Sequence, residues 1–411
     1  MNPHIRSLHP YPFQRLATLT APLAPPALPR INMAIGEPRH PAPDVVTTEI
    51  TEGLGALSIY PSTRGGDAVR RAIAQWLTRR FRLPPEAIDP DRHVLPSSGS
   101  REAIYSVVQA QIDHERHPRP VVLMPNPFYQ IYEGAALLAG AEPYYLNTDR
   151  AHGFRMDFGA VPKDILARTQ LVFTCSPGNP TGQVMSRAEY DELLALAHRY
   201  DFLIAADECY SEIYDDEDAP PEGLLQSAIA SGVKDFAHCV ALHSLSKRSN
   251  VPGLRFGFMA GEPTFMAQFL TLRTYLGSAP STLAQNAAIP ALNDEAHVRL
   301  NRARYREKFD DVLMVLKDVM PVERPCGGFY LWLPTPIDDE AFVAGLYATQ
   351  NVLALPGRYL SRPTPQGDPG AGYIRLALVG PRAECYEGAL RLRSYVQSLG
   401  LRTMNDTSNT N

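Results

Sequence analysis

The sequence predicts an α/β fold: a large domain with a mainly parallel sheet flanked by helices, plus a smaller α+β domain. Three observations predict it. Short apolar runs alternate with helical patterns from about residue 65 to about residue 280, which implies βαβ units. Beyond that point the order changes to long helical patterns with a few short strands. The chain has 411 residues, 45% hydrophobic and 20% charged, enough for two sizeable cores.

The elements follow in order. Residues 1–48 are Pro-rich and read as an extended arm, part of the small domain, ending in INMAIGEPRHPAP. GDAVRRAIAQWLTRRF carries apolar residues at helical spacing, with Asp67 in its first turn. HVLPSSG leads into SREAIYSVVQAQI, and VVLMPNP into FYQIYEGAALLAG. QLVFTCSPGNPTG leads into SRAEYDELLALAHRY, and the strands FLIAADECY and HCVALHSLSK follow. The large domain is thus expected over 49–285 and the small carboxyl-terminal domain over 286–400. The latter opens with one long helix over roughly 286–319, followed by strand-like GGFYLWLP, a helix over 338–350, VLALPG, YIRLALV and a last helix near 382–399. The polar tail 401–411 is expected to be disordered.

Composition excludes several classes. Net charge is -5 with no basic block, which argues against nucleic acid or an anionic membrane as main partner. Cys175, Cys209, Cys239, Cys326 and Cys385 show no paired spacing. They read as reduced thiols of a cytoplasmic protein, with neither a disulfide frame nor a metal site. The first residues lack the apolar core of a signal peptide, and no run approaches the roughly 20 apolar residues of a membrane span.

In parallel sheets ligands bind at the carboxyl ends of strands, and the reactive residue types fall there. Lys247 follows an apolar run in SLSKRSNVPGLRFG, where an ammonium is costly to desolvate. An imine with an aldehyde removes that charge. Arg255 offers a bidentate grip on phosphate, Ser244 and Ser246 add donors, and Gly253 and Gly257 allow close backbone approach. SPGNPTG fixes Asn179 between rigid elements. Asp207, at the end of FLIAAD, suits a protonated pyridine nitrogen, with Tyr210 donating to a phenolate oxygen. Ser100 and Arg101 open a helix whose free N–H groups suit phosphate. Tyr129 can stack on a flat ring, and Arg375, inside an apolar strand pattern, needs an anion such as a substrate carboxylate. Taken singly, each has an ordinary alternative: a paired lysine, a turn, a helix cap, core packing. Together they supply an imine lysine, a phosphate clamp, a ring-nitrogen partner, a stacking ring and a carboxylate clamp. Pyridoxal 5′-phosphate requires all five.

Over about residues 30–400 the chain resembles the fold-type I, class I aminotransferases. IGEP, YPSTRG, SPGNPTG, ADECYSEIY, SLSKRSNVPGLRFGF, GGFYLW and YIRLA occur in that family's order. The resemblance implies that Lys247 carries the cofactor, Asp207 partners its ring nitrogen and Tyr210 its phenolate. It implies that Arg255, Ser244, Ser246 and the backbone at Ser100 and Arg101 hold phosphate, and that Tyr129 stacks on the ring. Asn179 would contact the cofactor oxygen and the substrate carboxylate, and Arg375 would clamp the α-carboxylate. Gly36 would lie where the arm closes over substrate. Tyr60 would reach the phosphate of a neighbouring subunit, so a homodimer with shared sites is implied, acting on small amino and keto acids. One departure is visible: Pro127-Phe-Tyr-Gln-Ile-Tyr132 lacks the second proline of the family's Pro-x-Tyr-Pro-x-Tyr. The whole-chain pattern is similar to the proteobacterial N-succinyldiaminopimelate aminotransferases of lysine biosynthesis, with glutamate as amino donor. Arg101 is the candidate for a distal carboxylate, since related prokaryotic aspartate aminotransferases carry a lysine there, and Tyr11, Phe13 and Arg15 of the arm are candidates for further contacts. Rival readings are an aspartate or aromatic aminotransferase, a carbon–sulfur lyase on the same fold, and a ligand sensor that keeps the fold.

Overall fold

The computed structural model describes residues 3–400. The tail expected to be disordered lies outside them. The amino-terminal part comprises α1 (Pro12–Thr20), β1 (Ile31–Asn32), α2 (Asp44–Glu52), α3 (Asp67–Arg80), β2 (Val94–Ser97), α4 (Ser100–Gln111), β3 (Val121–Asn126), α5 (Gln130–Leu138) and β4 (Glu142–Asn147). The middle adds α6 (Lys163–Arg168), β5 (Thr169–Cys175), α7 (Arg187–Tyr200), β6 (Leu203–Asp207), α8 (Leu224–Ala230), β7 (Cys239–Ser244), α9 (Leu245–Arg248), β8 (Gly257–Gly261) and α10 (Pro263–Leu276). The rest is α11 (Thr282–Asn293), α12 (Ala296–Leu316), β9 (Tyr330–Pro334), α13 (Asp339–Gln350), β10 (Val352–Leu353), β11 (Leu355–Pro356), β12 (Tyr373–Ala377) and α14 (Arg382–Ser398).

Seven strands form one sheet in the order β2-β8-β7-β6-β5-β3-β4. All neighbours pair parallel except β8, which runs antiparallel to both β2 and β7. Alternation along the strands separates two cores. Ile204, Ala206 and Ala241 face one layer of helices, and Leu203, Ala205 and Val240 face the other.

A second, three-stranded antiparallel sheet has the order β11-β12-β9. It packs with α12, α13 and α14 around its own core, which also takes in Leu16 of α1 and Ile31 of β1. The arm therefore lies against this sheet, with β1 paired parallel to β10.

The single helix expected over 286–319 is two helices. Asp294 takes extended backbone (φ −99°, ψ 114°), and its carboxylate accepts from the Ala296 and His297 N–H groups at 3.0 and 3.3 Å. It thereby satisfies donors that open α12. The apolar period runs on across this break, so periodicity alone does not reveal it.

Candidate active site

The carboxyl ends of the parallel strands converge on one cavity of about 650 Å³. Tyr129 follows β3, Asn179 follows β5, Asp207 ends β6, and Ser244 ends β7 just before Lys247. The second sheet closes the far wall with Tyr330 and Arg375, and the arm adds Tyr11, Phe13 and Gly36.

Lys247 reaches this cavity from α9, a single turn whose first donor is satisfied by Ser244 Oγ accepting from the Ser246 N–H at 3.1 Å. Lys247 Nζ donates to the Gly36 carbonyl at 2.6 Å. Burial lowers its pKa to about 8, so its neutral form is far more accessible than that of an ordinary lysine.

Asp207 is 2% exposed. Burial pushes its pKa up, and hydrogen bonds from Tyr132 and Cys209 together with the Lys247 charge pull it back down. Tyr132 Oη donates to Asp207 Oδ2 at 2.7 Å, and the Cys209 N–H to Oδ1 at 3.3 Å. These two donors fix the carboxyl group at the end of a buried strand, where it lines the cavity.

A cradle lies beside Lys247. Arg255 takes left-handed backbone (φ 53°) and donates to the Pro252 and Ser98 carbonyls at 3.0 and 3.2 Å. Its guanidinium lies against Gly99, where an added Cβ would overlap Nη2. Gly99 (φ 86°) caps the twelve-residue α4, so the free N–H groups and positive dipole end of that helix face the same place. A Cβ on Gly257 would approach the Ser100 N to 3.0 Å, which keeps that strand tight against the helix start.

Arg375 is buried, donating to Asn179 Oδ1 at 2.9 Å and to the Ala34 carbonyl at 2.8 Å. Arg101 is exposed. Its Nε donates to Tyr129 Oη at 2.8 Å and its Nη2 to Tyr11 Oη at 3.4 Å. Tyr210 Oη lies 3.0 Å from Tyr330 Oη.

Outside the arm candidates, every residue singled out in the sequence for this site lines the cavity except Gly257 and Tyr60. Gly257 lies behind the start of α4, and Tyr60 is 98% exposed on the surface of this chain. Of the arm candidates, Tyr11 and Phe13 line the cavity, whereas Arg15 does not. Its guanidinium lies 3.8 Å from the centre of the Tyr359 ring. Sequence reasoning missed Tyr132, Tyr330, Glu37, Cys175 and Cys209. Tyr132 had a signal, since it closes the same six-residue motif as Tyr129. Among the described residues no group of three or more His, Cys, Asp or Glu side chains could hold a metal ion. No helix among them is long and apolar enough to cross a membrane.

The chemistry of these donors fits pyridoxal phosphate. A half-buried lysine with a depressed pKa, a buried carboxyl held by two donors, and a glycine-lined cradle joining a guanidinium to a helix start are the three grips that molecule needs.

The family described as aminotransferase class I and II matches residues 29–392, and the chain belongs to it. The LL-diaminopimelate aminotransferase of Desulforudis audaxviator is 33% identical over 395 residues, covering 95% of this chain and 96% of that protein. The crystal structure of an aminotransferase from Neisseria meningitidis superposes with a TM-score of 0.92 at 44% identity, over 96% of this chain and 99% of that one. A probable N-succinyldiaminopimelate aminotransferase from Thermus thermophilus shares the fold, with a TM-score of 0.81 at 24% identity over 93% and 100% of the two chains. Members of this family use pyridoxal 5′-phosphate, and the protein is an aminotransferase dependent on that cofactor.

Proposed function

We propose that the enzyme moves an amino group between glutamate and a keto acid of the diaminopimelate type, with N-succinyl-2-amino-6-oxopimelate as the acceptor. The observation that carries this reading is that, besides Arg255 in the phosphate cradle, two further guanidiniums line the cavity, Arg375 buried and Arg101 exposed. A substrate with a carboxylate at each end answers both. The relatives named for diaminopimelate support the carbon skeleton.

When bound, the cofactor supplies an electron sink that makes the substrate α-proton acidic. Lys247 would hold it through Nζ, Asp207 would face its ring nitrogen, and Tyr210 its phenolic oxygen. Arg255, Ser244, Ser246 and the α4 start at Ser100 and Arg101 would hold its phosphate, and Tyr129 would flank its ring. Arg375 grips the α-carboxylate of either acid. Asn179 steadies that grip through Oδ1, which leaves Nδ2 for ligand oxygens. Burial, which lowers its pKa to about 8, would make Lys247 Nζ available as a neutral amine beside the substrate α-carbon. In that form it would accept the α-proton and return it, as a general base and then a general acid. Gly36 and its neighbours in the arm exclude water from that exchange. Such two-stage chemistry lets one cavity serve both acids in turn. We further propose a cytoplasmic homodimer in which Tyr60 reaches the partner subunit's phosphate site.

A second reading has support of its own. The relatives named for LL-diaminopimelate act on the unsuccinylated compound, and Glu37 in the cavity wall offers a carboxylate to a distal ammonium. A half-reaction panel tests both. The aldehyde form is mixed with LL-N-succinyldiaminopimelate, LL-diaminopimelate, glutamate, aspartate and phenylalanine, and bleaching rates are compared. The succinylated acid and glutamate should react fastest. A faster LL-diaminopimelate selects the second reading, and a leading phenylalanine rejects both. Arg101→Ala should slow the dicarboxylic acids about tenfold relative to phenylalanine, the loss of one charge-assisted contact.

A further inference from the structure

The motif Gly327-Gly-Phe-Tyr-Leu-Trp332 has no part in the reaction as described so far, yet Tyr330 is only 3% exposed and lines the cavity. We infer that Tyr330 is a positioning residue that couples the two grips of the site, acting through Tyr210 on the cofactor side and through Arg375 on the substrate side. The inference rests on the placements of Tyr210 and Arg375 proposed above.

Three contacts carry it. The Tyr330 and Tyr210 hydroxyls are 3.0 Å apart. The Arg375 guanidinium carbon lies 4.3 Å from the centre of the Tyr330 ring. A Cβ on Gly36 would overlap the Tyr330 hydroxyl, so the arm backbone seats against the same atom.

The placement is built into the fold. In the β9–β12 register Tyr330 faces Ala377 and Trp332 faces Arg375, which makes Tyr330 and Arg375 diagonal neighbours on one face. The start of this segment is fastened to the first sheet's loops. The Gly328 N–H donates to the Ile213 carbonyl at 2.8 Å, in the turn that carries Tyr210, and the Gly327 N–H to the Gly182 carbonyl at 3.1 Å. A Cβ on Gly327 would meet the Pro177 ring at 2.5 Å, so the approach is closed to larger residues.

The chemistry follows from proton counting. A phenol carries one proton. With the Tyr210 proton directed at the cofactor oxygen, the contact between the hydroxyls is Tyr330 donating to Tyr210. That bond polarises Tyr210 and strengthens its donation onward. Arg375 has only uncharged oxygens as its hydrogen-bond partners, Asn179 Oδ1 and the Ala34 carbonyl. The ring face of Tyr330 therefore supplies its electrostatic partner until a carboxylate arrives.

Two substitutions separate the hydroxyl from the ring. Tyr330→Phe removes only the hydroxyl, and Tyr330→Leu also removes the π face. The first readout is the pH midpoint of the bound cofactor's absorbance change. The second is calorimetric binding of glutarate to the apoprotein, which needs neither cofactor nor turnover. Tyr330→Phe should raise the midpoint by a few tenths of a unit, in the direction of Tyr210→Phe but by less, and leave glutarate binding within about twofold. Tyr330→Leu should weaken glutarate binding about tenfold. Circular dichroism melts confirm that each variant is folded. A midpoint that moves in Tyr210→Phe but not in Tyr330→Phe overturns the coupling to the cofactor side. Unchanged glutarate binding in Tyr330→Leu overturns the coupling to Arg375. If Tyr210→Phe moves nothing either, the inference falls with the placement of Tyr210, and that result shows which reading failed.

Discussion

Burial decides what Lys247 can do. An exposed lysine holds its proton far above neutrality, whereas here desolvation brings the pKa to about 8. Addition to an aldehyde needs the neutral amine. The rate at which pyridoxal phosphate joins the apoprotein should therefore rise with pH, with a midpoint near 8, and level off above it. Stopped-flow absorbance on apoprotein measures this, and a midpoint near that of a free lysine would refute the burial argument. Lys247→Ala should abolish borohydride-stable attachment and lower turnover by about 10³-fold, the loss of a general base. The residues legible in the sequence were those whose chemistry is announced by motif and position, at the ends of apolar runs. Those that stayed hidden act through contacts that spacing does not encode. Tyr132 meets Asp207 from 75 positions away, and Tyr330 meets Tyr210 from 120. Arg15 reads as a site residue beside Tyr11 and Phe13, but it finds the Tyr359 ring and Glu340 instead.

At the scale of elements, β6 and β7 present one set of side chains to the cavity and another to the core behind it. Asp207 and Ser244 belong to the first set. Glu208 and His243, each one position away, belong to the second. His243 Nε2 lies 3.4 Å from Glu208 Oε2 inside a cage of Trp76, Phe81 and Phe258. Burial pushes the Glu208 pKa up to about 8 and the His243 pKa down to about 3. A raised carboxyl means that the folded state binds more protons than the unfolded one between pH 4.5 and 8, so this group's contribution falls as pH rises through that window. His243 opposes it only between pH 3 and 6.5, where the unfolded state binds more protons. Above 6.5 His243 no longer opposes the Glu208 slope, which reaches up to about 1.4 kcal/mol per pH unit until Lys247 and Lys308, both lowered to about 8, begin to offset it. Thermal melts of the apoprotein from pH 6.5 to 7.5, below the range where Lys247 and Lys308 titrate, should show a falling Tm, and Glu208→Gln, which cannot titrate, should flatten the profile relative to the parent. Alternating apolar runs made the parallel strands legible. The antiparallel β8 escaped because FGFMAG follows the phosphate-binding pattern directly and reads as part of its loop. The α11–α12 break escaped because helical periodicity ignores a cap.

At the scale of the molecule, one short stretch presents a cluster of exposed apolar side chains. Leu54, Leu57, Ile59 and Tyr60 are 53, 69, 59 and 98% exposed within seven consecutive residues. Patches of this kind mark contact sites. The occupant proposed for this one is a second copy of the chain, because the Tyr60 ring stands out in solvent on its own subunit, while the cradle at Arg255 and Ser100 opens to solvent in the lone chain. The two requirements are met together if each copy lends its tyrosine to the other. The protein should then sediment at twice its chain mass of 45.4 kDa. Replacing Leu57 and Ile59 with Asp together should yield a monomer, because each buries charge against an apolar partner face. Tyr60→Phe is the sharper variant. It keeps the ring and hence the dimer, and it removes only the hydroxyl offered to phosphate. Cofactor affinity, measured by titrating apoprotein, should weaken about tenfold with the sedimentation unchanged, the loss of one charge-assisted hydrogen bond. A dimer that binds the cofactor equally well with Phe at this position would leave the two sites independent, each cradle being filled from its own chain alone.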